Sequence, residues 1–117
     1  MPPINAWLNL RQMIDFVNSE TDLKSIDDRS QRLLEWIVAN HSTEKSLFVQ
    51  TIVMKSEVAS PATIHKGLSI LEREGLISVK VDPADTRRRI VSPTERAKKL
   101  MAKLSQRVQA WAENLPN

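Results

Sequence analysis

The segment from residue 60 to residue 76, SPATIHKGLSILEREGL, constrains the fold of this chain most strongly because it contains signals for both ends of one helix. Ser60 is a favoured N-cap residue, and Pro61 stands at the first helical position, where a missing N–H costs nothing. Gly75 stands where a left-handed residue commonly ends a helix. Apolar residues at positions 64, 68 and 71 share one face. The segment therefore predicts an amphipathic helix between Ser60 and Gly75.

The opposite face of this helix carries small, polar and basic side chains, and its first carboxylate is Glu72. A helix N-terminus with such a face is suited to phosphates and to base edges in the DNA major groove. The candidate contact residues are Ser60, Ala62, Thr63, His65, Lys66 and Ser69. Alone, this pattern also describes an ordinary amphipathic surface helix, so the flanking segments must decide between the two interpretations.

The chain before this helix predicts three further elements. A wide apolar stripe within residues 1–24 marks a first helix. Ser25 and Asp28 have the spacing of a capping box, and a second apolar stripe follows them to about His41. Residues 47–54 have helical spacing, although their β-branched content leaves a strand open. A short connector joins this segment to the amphipathic helix, which predicts a helix-turn-helix.

After the amphipathic helix the apolar period changes from 3.6 to 2, which predicts a strand over residues 77–81. Residues 82–85, Asp-Pro-Ala-Asp, have the composition of a turn, and residues 87–91 return as a second strand. Three arginines lie at and behind the tip of this β-hairpin: Arg87, Arg88 and Arg89. In a regular strand successive side chains point to opposite faces, so Arg88 should point away from Arg87 and Arg89. At least one of the three arginines should therefore contact only phosphate. A helix-turn-helix followed by a basic hairpin indicates a winged helix.

A final helix follows the hairpin, with Ser92 and Thr94 as alternative N-caps, and Pro116 prevents its continuation. Its apolar residues at 97, 101, 104, 108, 111 and 115 are spaced alternately four and three apart, as in an a/d seam. This seam and the wide stripe of the first helix predict a homodimer, although both helices could instead pack on their own domain. The candidate dimerisation residues are Trp7, Leu8, Met101, Leu104, Val108, Trp111 and Leu115.

The charge of the chain is unevenly distributed. The formal net charge is +3, but residues 55–103 carry 11 basic and 6 acidic side chains, whereas residues 1–54 carry 5 and 7. A basic segment beside a mildly acidic one indicates a polyanionic partner on one face.

Composition also argues against several classes of function. Cysteine is absent, which excludes disulfides and thiolate catalysis. With one other histidine and no cysteine, His65 has poor partners for a metal site, and no nucleophile–base pairing or phosphate-binding glycine loop is present. We therefore expect neither an enzyme nor a metal or other cofactor. No apolar run approaches the ~20 residues of a membrane span and no secretion signal is found, so we expect a soluble, cytoplasmic protein.

Two segments, SPATIHKGLSILEREGLI and DPADTRRRIVSPTERA, resemble the multiple-antibiotic-resistance-regulator (MarR) family of bacterial transcription factors, and the resemblance covers residues 47–97. The second segment is the more specific, through its spacing of Asp82, Pro83, Asp85, Arg87 and Thr94-Glu95. The resemblance implies that Arg87 enters the minor groove, that Asp85 orients it, and that the terminal helices of two subunits interlock. The chain departs from the family at Pro93 and Ala97, where Leu and Gly are usual, and at Val58, near which the family often has Gly.

The resemblance also raises the question of an effector, since relatives often bind small aromatic molecules between the DNA-binding and dimer regions. Trp7, Trp36 and Trp111 could line such a pocket, but tryptophans spread over three helices are more often core and interface residues. We favour the second interpretation, and no particular effector is implied.

Together these features predict a mainly α protein with a small β-hairpin wing, in a single winged-helix domain over residues 1–117. Residues 1–24 would be an N-terminal dimerisation helix, 25–92 the helix-turn-helix and wing, and 93–117 a C-terminal helix. The predicted function is sequence-specific regulation of transcription on double-stranded DNA, with the recognition helix in the major groove and the wing in the minor groove. A winged-helix protein–protein interaction module is the alternative, and the near lack of exposed aromatic residues argues against a binder of RNA or single strands.

Overall fold

A computed structural model describes residues 5–20 and 22–114, which form five α-helices, a short 3₁₀ helix and a three-stranded antiparallel sheet. The elements in chain order are α1 (Asn5–Glu20), the 3₁₀ helix (Asp22–Ser25), α2 (Asp28–Asn40), β1 (Leu47–Phe48), α3 (Val49–Lys55), α4 (Pro61–Arg73), β2 (Ile77–Asp82), β3 (Asp85–Pro93) and α5 (Glu95–Glu113). The predicted winged-helix architecture is confirmed. None of the described helices is both long and apolar enough to cross a bilayer.

The chain divides into two compact units. The central unit comprises residues 26–98, and the terminal unit comprises the described residues up to Ser25 and from Lys99 onward. The central unit therefore contains the helix-turn-helix, the sheet and the first residues of α5.

The core of the central unit is built from the apolar faces of α2, α3 and α4 together with the sheet. Its fully buried side chains are Leu33, Leu34, Ile37, Ile52, Ile64, Leu71, Leu76 and Val91. Helix α4 passes close to α2 at Gly67, where an added Cβ would lie 3.0 Å from Cδ2 of Leu33. An added side chain here would require the end of Leu33 to shift by a few tenths of an ångström, so glycine fits this crossing closely.

The sheet has the order β1-β3-β2, with both pairs antiparallel. Leu47 of β1 and Val79 of β2 both pair with Val91 of β3. Near the hairpin tip the register is irregular, because Val81 pairs with Arg89 whereas Asp82 pairs with Asp85. Three residues of β3 between these pairs therefore have no partner in β2, as in an enlarged β-bulge. β3 is longer than the predicted second strand because its pairing with β2 extends to Pro93 at one end and to Asp85 at the other.

Three local expectations are resolved by the structure. The segment predicted as helix or strand is both, since β1 leads directly into α3. The capping box at Ser25 is wrong: Ser25 ends the 3₁₀ helix, and Asp27 caps α2 by accepting from the N–H of Ser30 at 3.3 Å and from its hydroxyl at 2.6 Å. Of the two alternative caps of α5, Thr94 is the one observed, because its Oγ1 accepts from the N–H of Ala97 at 3.2 Å.

The start of α5 also holds the end of α4. Thr94 donates its hydroxyl to the carbonyl of Gly75 at 2.8 Å, and Arg96 donates Nη1 to the carbonyl of Glu74 at 2.6 Å. Gly75 has φ = 73°, the left-handed conformation predicted for the residue after α4. The carbonyls of Glu74 and Gly75, the two residues that follow α4, are thus satisfied by side chains at the start of α5.

The terminal unit buries Val17, Leu23 and Leu100 but leaves other large apolar side chains exposed. These exposed side chains are Trp7, Leu8, Phe16 and Val108. Arg107 of α5 lies over the ring of Phe16, 5.7 Å from its centroid. Met101, Leu104 and Trp111 are half-buried, and the predicted dimerisation residue Leu115 lies outside the described residues.

Candidate nucleic-acid interface

The N-terminus of α4 is fixed by the cap that the sequence predicts. The Oγ of Ser60 accepts from the N–H of Thr63 at 3.4 Å, and its hydroxyl donates to Oγ1 of Thr63 at 3.0 Å. Pro61 occupies the first turn. Pro61 has no N–H and the N–H of Thr63 is bonded to Ser60, so the N–H of Ala62 is the first-turn donor that stays available to an anion.

The buried and exposed faces of α4 are those that the apolar spacing predicts. Ile64, Leu68 and Leu71 are buried, together with Gly67. The candidate contact residues are exposed with one exception, the half-buried Thr63; the exposed ones are Ser60, Ala62, His65, Lys66 and Ser69. Ser69 donates its hydroxyl to the carbonyl of His65 on the same helix at 3.2 Å. Its oxygen can still accept a hydrogen bond from a ligand.

At the wing, Asp85 holds Arg87 through three hydrogen bonds. The backbone N–H and the Nε of Arg87 both donate to Oδ1 of Asp85 at 3.1 Å, and Nη2 donates to Oδ2 at 3.3 Å. The side-chain hydrogen bonds from Arg87 are the main cause that lowers the pKa of Asp85 below its ordinary value. The Arg87 side chain is nevertheless 89% exposed, so it is oriented without being covered.

Arg88, in contrast, is held inside the wing. Its Nη2 donates to Oδ2 of Asp82 at 3.1 Å, and its Nε lies 3.6 Å from Oδ2 of Asp85. The guanidinium also lies over the ring of Phe48 in β1, 4.3 Å from the centroid. Within the described residues, Arg89 takes part in no such ion pair.

Two grooves of the central unit flank α4. The first has a volume of about 320 Å³ and brings His65 together with all three wing arginines, beside Phe48 and the α3 residues Val49, Gln50 and Val53. The predicted alternation of the three arginines assumed a regular strand, and the register of β3 is irregular at this point. The arginines and His65 surround a common concave surface that an anion could occupy.

The second groove, of about 430 Å³, lies between α2 and α4. It includes the candidates Thr63 and Lys66, and it adds Asp27 and Arg29 at the start of α2. Sequence reasoning missed Arg29, and likewise Gln50 in the first groove. Arg29 comes close to α4 because α2 crosses it at Gly67. The spacing of residues within either helix does not predict this crossing.

A metal site finds no support in the parts of the chain that are described. No three histidine, aspartate or glutamate side chains are grouped there as ligands. The charged groups at both grooves are mainly cationic, which suits an anionic partner.

Comparison with known proteins places this geometry in a structural class. No protein-family model matches the sequence, and no curated protein matches it. Among solved structures, MepR of S. aureus in complex with DNA is similar over 90% of this chain and 80% of its own, with a TM-score of 0.74 and 22% sequence identity. The fold is that of the MarR family. MarR itself is similar over 96% of this chain and 80% of its own, with a TM-score of 0.63 and 22% identity.

A third neighbour, the transcriptional regulator PA4135, is similar over 94% of this chain and 79% of its own, with a TM-score of 0.63 and 16% identity. The winged helix predicted from the two quoted segments is therefore the fold shared with MarR-family regulators. At these identities the likeness concerns the fold, and residue roles must be argued from this chain's own geometry.

Proposed function

We propose that this protein is a cytoplasmic transcriptional regulator that binds double-stranded DNA in a sequence-specific manner as a homodimer. The observation that carries the proposal is the placement of Arg87, held by Asp85, in one groove with His65 of α4. MepR of S. aureus, whose fold is similar, is known in complex with DNA. The winged helix of this chain has a charged, concave surface beside α4 to which DNA can bind.

Helix α4 is the proposed recognition helix, and the major groove is its proposed site. Its exposed face starts at a capped N-terminus and carries small or hydrogen-bonding side chains, which allow the helix to approach base edges closely. His65 and Lys66 are the longest of these side chains and lie on the two flanks of the helix, towards the first and second grooves. We propose that they contact base edges or the phosphates that line the major groove, with Ser60, Ala62, Thr63 and Ser69 nearer the helix surface.

Arg87 is the proposed minor-groove contact. A guanidinium is planar, weakly hydrated and permanently charged, and the narrow minor groove of A·T-rich DNA has an enhanced negative potential. The pairing with Asp85 limits the side-chain freedom that Arg87 has to lose on binding. Arg89, exposed two residues further along β3, is the proposed phosphate contact.

The exposed apolar side chains of the terminal unit support the homodimer. Trp7 and Val108 are 68% and 47% exposed, and exposed large apolar side chains on both terminal helices are what an interface with a second copy would cover. A twofold dimer would present two α4 helices to half-sites one helical turn apart, about 34–36 Å. A small-molecule effector stays a prediction of the family resemblance, and no effector is proposed.

Selection of bound sequences from a random duplex library tests this function. We expect recovery of an inverted repeat with A·T-rich flanks, and an affinity for it that falls steeply with salt, with a slope of about −0.9 for each phosphate contacted. The matched control is the same selection with Arg87→Ala. If neither a repeat nor a salt dependence is found, the protein is better described as a protein–protein interaction module.

A further inference from the structure

Two carboxylates and two guanidiniums form one network at the wing tip. Asp85 contacts both Arg87 and Arg88, and Arg88 extends the network to Asp82. Asp82 in turn accepts from the N–H of Ala84 at 2.9 Å, which closes the turn between β2 and β3. The exposed Arg87 is therefore the outermost member of a network whose other members are anchored within the wing.

The Asp82 end of this network is shielded from solvent, whereas the Arg88 side chain is 45% exposed. The Asp82 side chain is 8% exposed, so its carboxylate relies on Arg88 for a cationic partner. Phe48 supplies an aromatic face to the guanidinium of Arg88 from β1, on the other side of β3. Arg88 thus connects all three strands of the sheet. If its guanidinium moved out to a phosphate, Asp82 would be left as a shielded charge without its partner, which is unfavourable.

The location of the network coincides with the break in the β2–β3 register. Thr86, Arg87 and Arg88 lie between the pairs Val81–Arg89 and Asp82–Asp85, so β2 does not hold them by ladder pairing. A segment without ladder hydrogen bonds needs another constraint to present one side chain in a fixed direction. The ion pairs of Arg88 supply that constraint.

We propose that Arg88 is a positioning residue that fixes the direction of Arg87, through Asp85 and Asp82, and does not itself bind DNA. This inference rests on the proposed function, in which Arg87 enters the minor groove. It separates the three consecutive arginines by role: Arg87 reaches the groove, Arg88 braces the wing, and Arg89 contacts phosphate.

A first experiment concerns the free protein. Hydrogen exchange of the Arg87 Nε–H, followed by NMR with labelled arginine, reports on the Asp85–Arg87 pair in the absence of DNA. We expect faster exchange in Arg88→Ala and in Asp82→Asn than in the wild type, and unchanged exchange in the matched control Arg89→Ala. Equal exchange in Arg88→Ala and the wild type would overturn the proposal. Because no DNA is present, this result is independent of whether the proposed function holds.

A second experiment is a double-mutant cycle on the selected DNA. Arg88→Ala should weaken binding about fivefold to tenfold in the wild type but less than about twofold in the Arg87→Ala background, because its effect passes through Arg87. Arg89→Ala should weaken binding equally in both backgrounds. In the Arg87→Ala background, Arg89→Ala should also reduce the slope of log affinity against log salt concentration, by about 0.9 for each phosphate contact removed. Arg88→Ala should leave that slope unchanged.

Arg88→Lys keeps the charge but not the planar fork, so we expect it to behave like Arg88→Ala. Thermal unfolding of each variant checks that the fold is retained. Losses that add in the double variant, or full binding by Arg88→Lys, would show that Arg88 contacts DNA directly and would overturn the proposal. If the wild-type protein binds no duplex, the proposed function is wrong. The exchange experiment would still test whether Arg88 positions Arg87.

Discussion

Arg87 combines full exposure with a fixed direction, because all three of its hydrogen bonds go to one carboxylate at the base of its own turn. Arg87→Ala should therefore weaken specific DNA binding by about 1–3 kcal/mol and relax the preference for A·T-rich flanks. The free energy of unfolding should change by less than about 0.5 kcal/mol, since the side chain packs against little. Titration of a labelled duplex and repetition of the sequence selection measure both effects. Unchanged affinity with an unchanged sequence profile would remove the minor-groove role.

Glu57, in the turn between α3 and α4, is the only non-glycine residue with positive φ in the described ranges 5–20 and 22–114, at 53°. The left-handed conformation costs an L-residue about 1–2 kcal/mol, and asparagine tolerates it better than glutamate. Glu57→Asn should therefore raise the free energy of unfolding by about 0.5–1 kcal/mol, measured by denaturant titration. Glu57→Gln removes the same charge without relieving the backbone and should change little. An equal gain in the glutamine variant would assign the effect to charge instead.

The sequence carried an indirect indication of this strain. The family that the chain resembles often has Gly near Val58, and glycine adopts a positive φ without penalty. Glu57, the residue before Val58, adopts that conformation here. At this turn the chain therefore places a glutamate in a conformation that glycine would adopt without penalty.

At the scale of elements, prediction succeeded where the determining interactions are local. The limits of α4 follow from Ser60, Pro61 and Gly75, all of which act within a few residues of the helix ends. The length of β3 and its irregular register were not predictable in this way. The added ends of β3 pair with β2, and the irregular register coincides with an ion-pair network that forms only when the hairpin has closed.

The cap of α2 was also missed, although it is local, because two residues, Ser25 and Asp27, compete for the N-cap position. Ser25 and Asp28 match the capping pattern, but residues 22–25 form a 3₁₀ turn that moves the start of α2 to Asp28. Asp27 then stands at the N-cap position. Such a competition is decided by which of the two turns packs better. Leu23 and Ile26, within and directly after the observed 3₁₀ turn, are both buried.

Asp27 makes the stability of α2 depend on pH. The hydrogen bond from the Ser30 side chain is the main cause that lowers the pKa of Asp27 below 3.8. A folded-state pKa below the unfolded value gives stability that is present above the unfolded pKa and is lost as the pH falls through the folded pKa.

Asp27→Ala should reduce the free energy of unfolding by about 1 kcal/mol at neutral pH. Asp27→Asn keeps the acceptor oxygen, so it should retain most of the neutral-pH stability and lose less on acidification. Denaturant titrations at neutral pH and below 3.8 check this, and an identical acid dependence in Asp27→Asn and the wild type would contradict it.

At the scale of the whole molecule, the a/d spacing of α5 has two different uses. Ala97 is fully buried in the core of the central unit, so it is not available to a partner. Met101, Leu104 and Trp111 are half-buried and Val108 is exposed, all in the terminal unit. The first residue of this regular apolar pattern thus packs within the subunit, whereas its later residues lie on surface that is partly or fully exposed. Periodicity predicts that a face is apolar, but it does not tell which molecule covers that face.

The remaining open surface of the terminal unit leads to the last prediction, which concerns the proposed homodimer. Val108 is 47% exposed, so Val108→Glu places a charge on the surface of the subunit without opening its core. In a dimer built on this surface the same charge would be buried without a partner, which is strongly destabilising. Gln106→Glu is the matched control, because Gln106 is an exposed residue two positions earlier on α5, on the opposite side of the helix.

Sedimentation at micromolar concentration should give twice 13.3 kDa for the wild type and for Gln106→Glu, and 13.3 kDa for Val108→Glu. The contacts within each subunit should be intact in all three proteins, so far-ultraviolet circular dichroism and thermal unfolding at low concentration should agree between the two glutamate variants. Val108→Glu should also lose tight binding to the inverted repeat while keeping weak binding to a single half-site, since each subunit retains α4 and the wing. A wild-type protein that sediments at 13.3 kDa would rule out the dimer, and with it the coupling of two half-sites on which tight binding to a repeat depends.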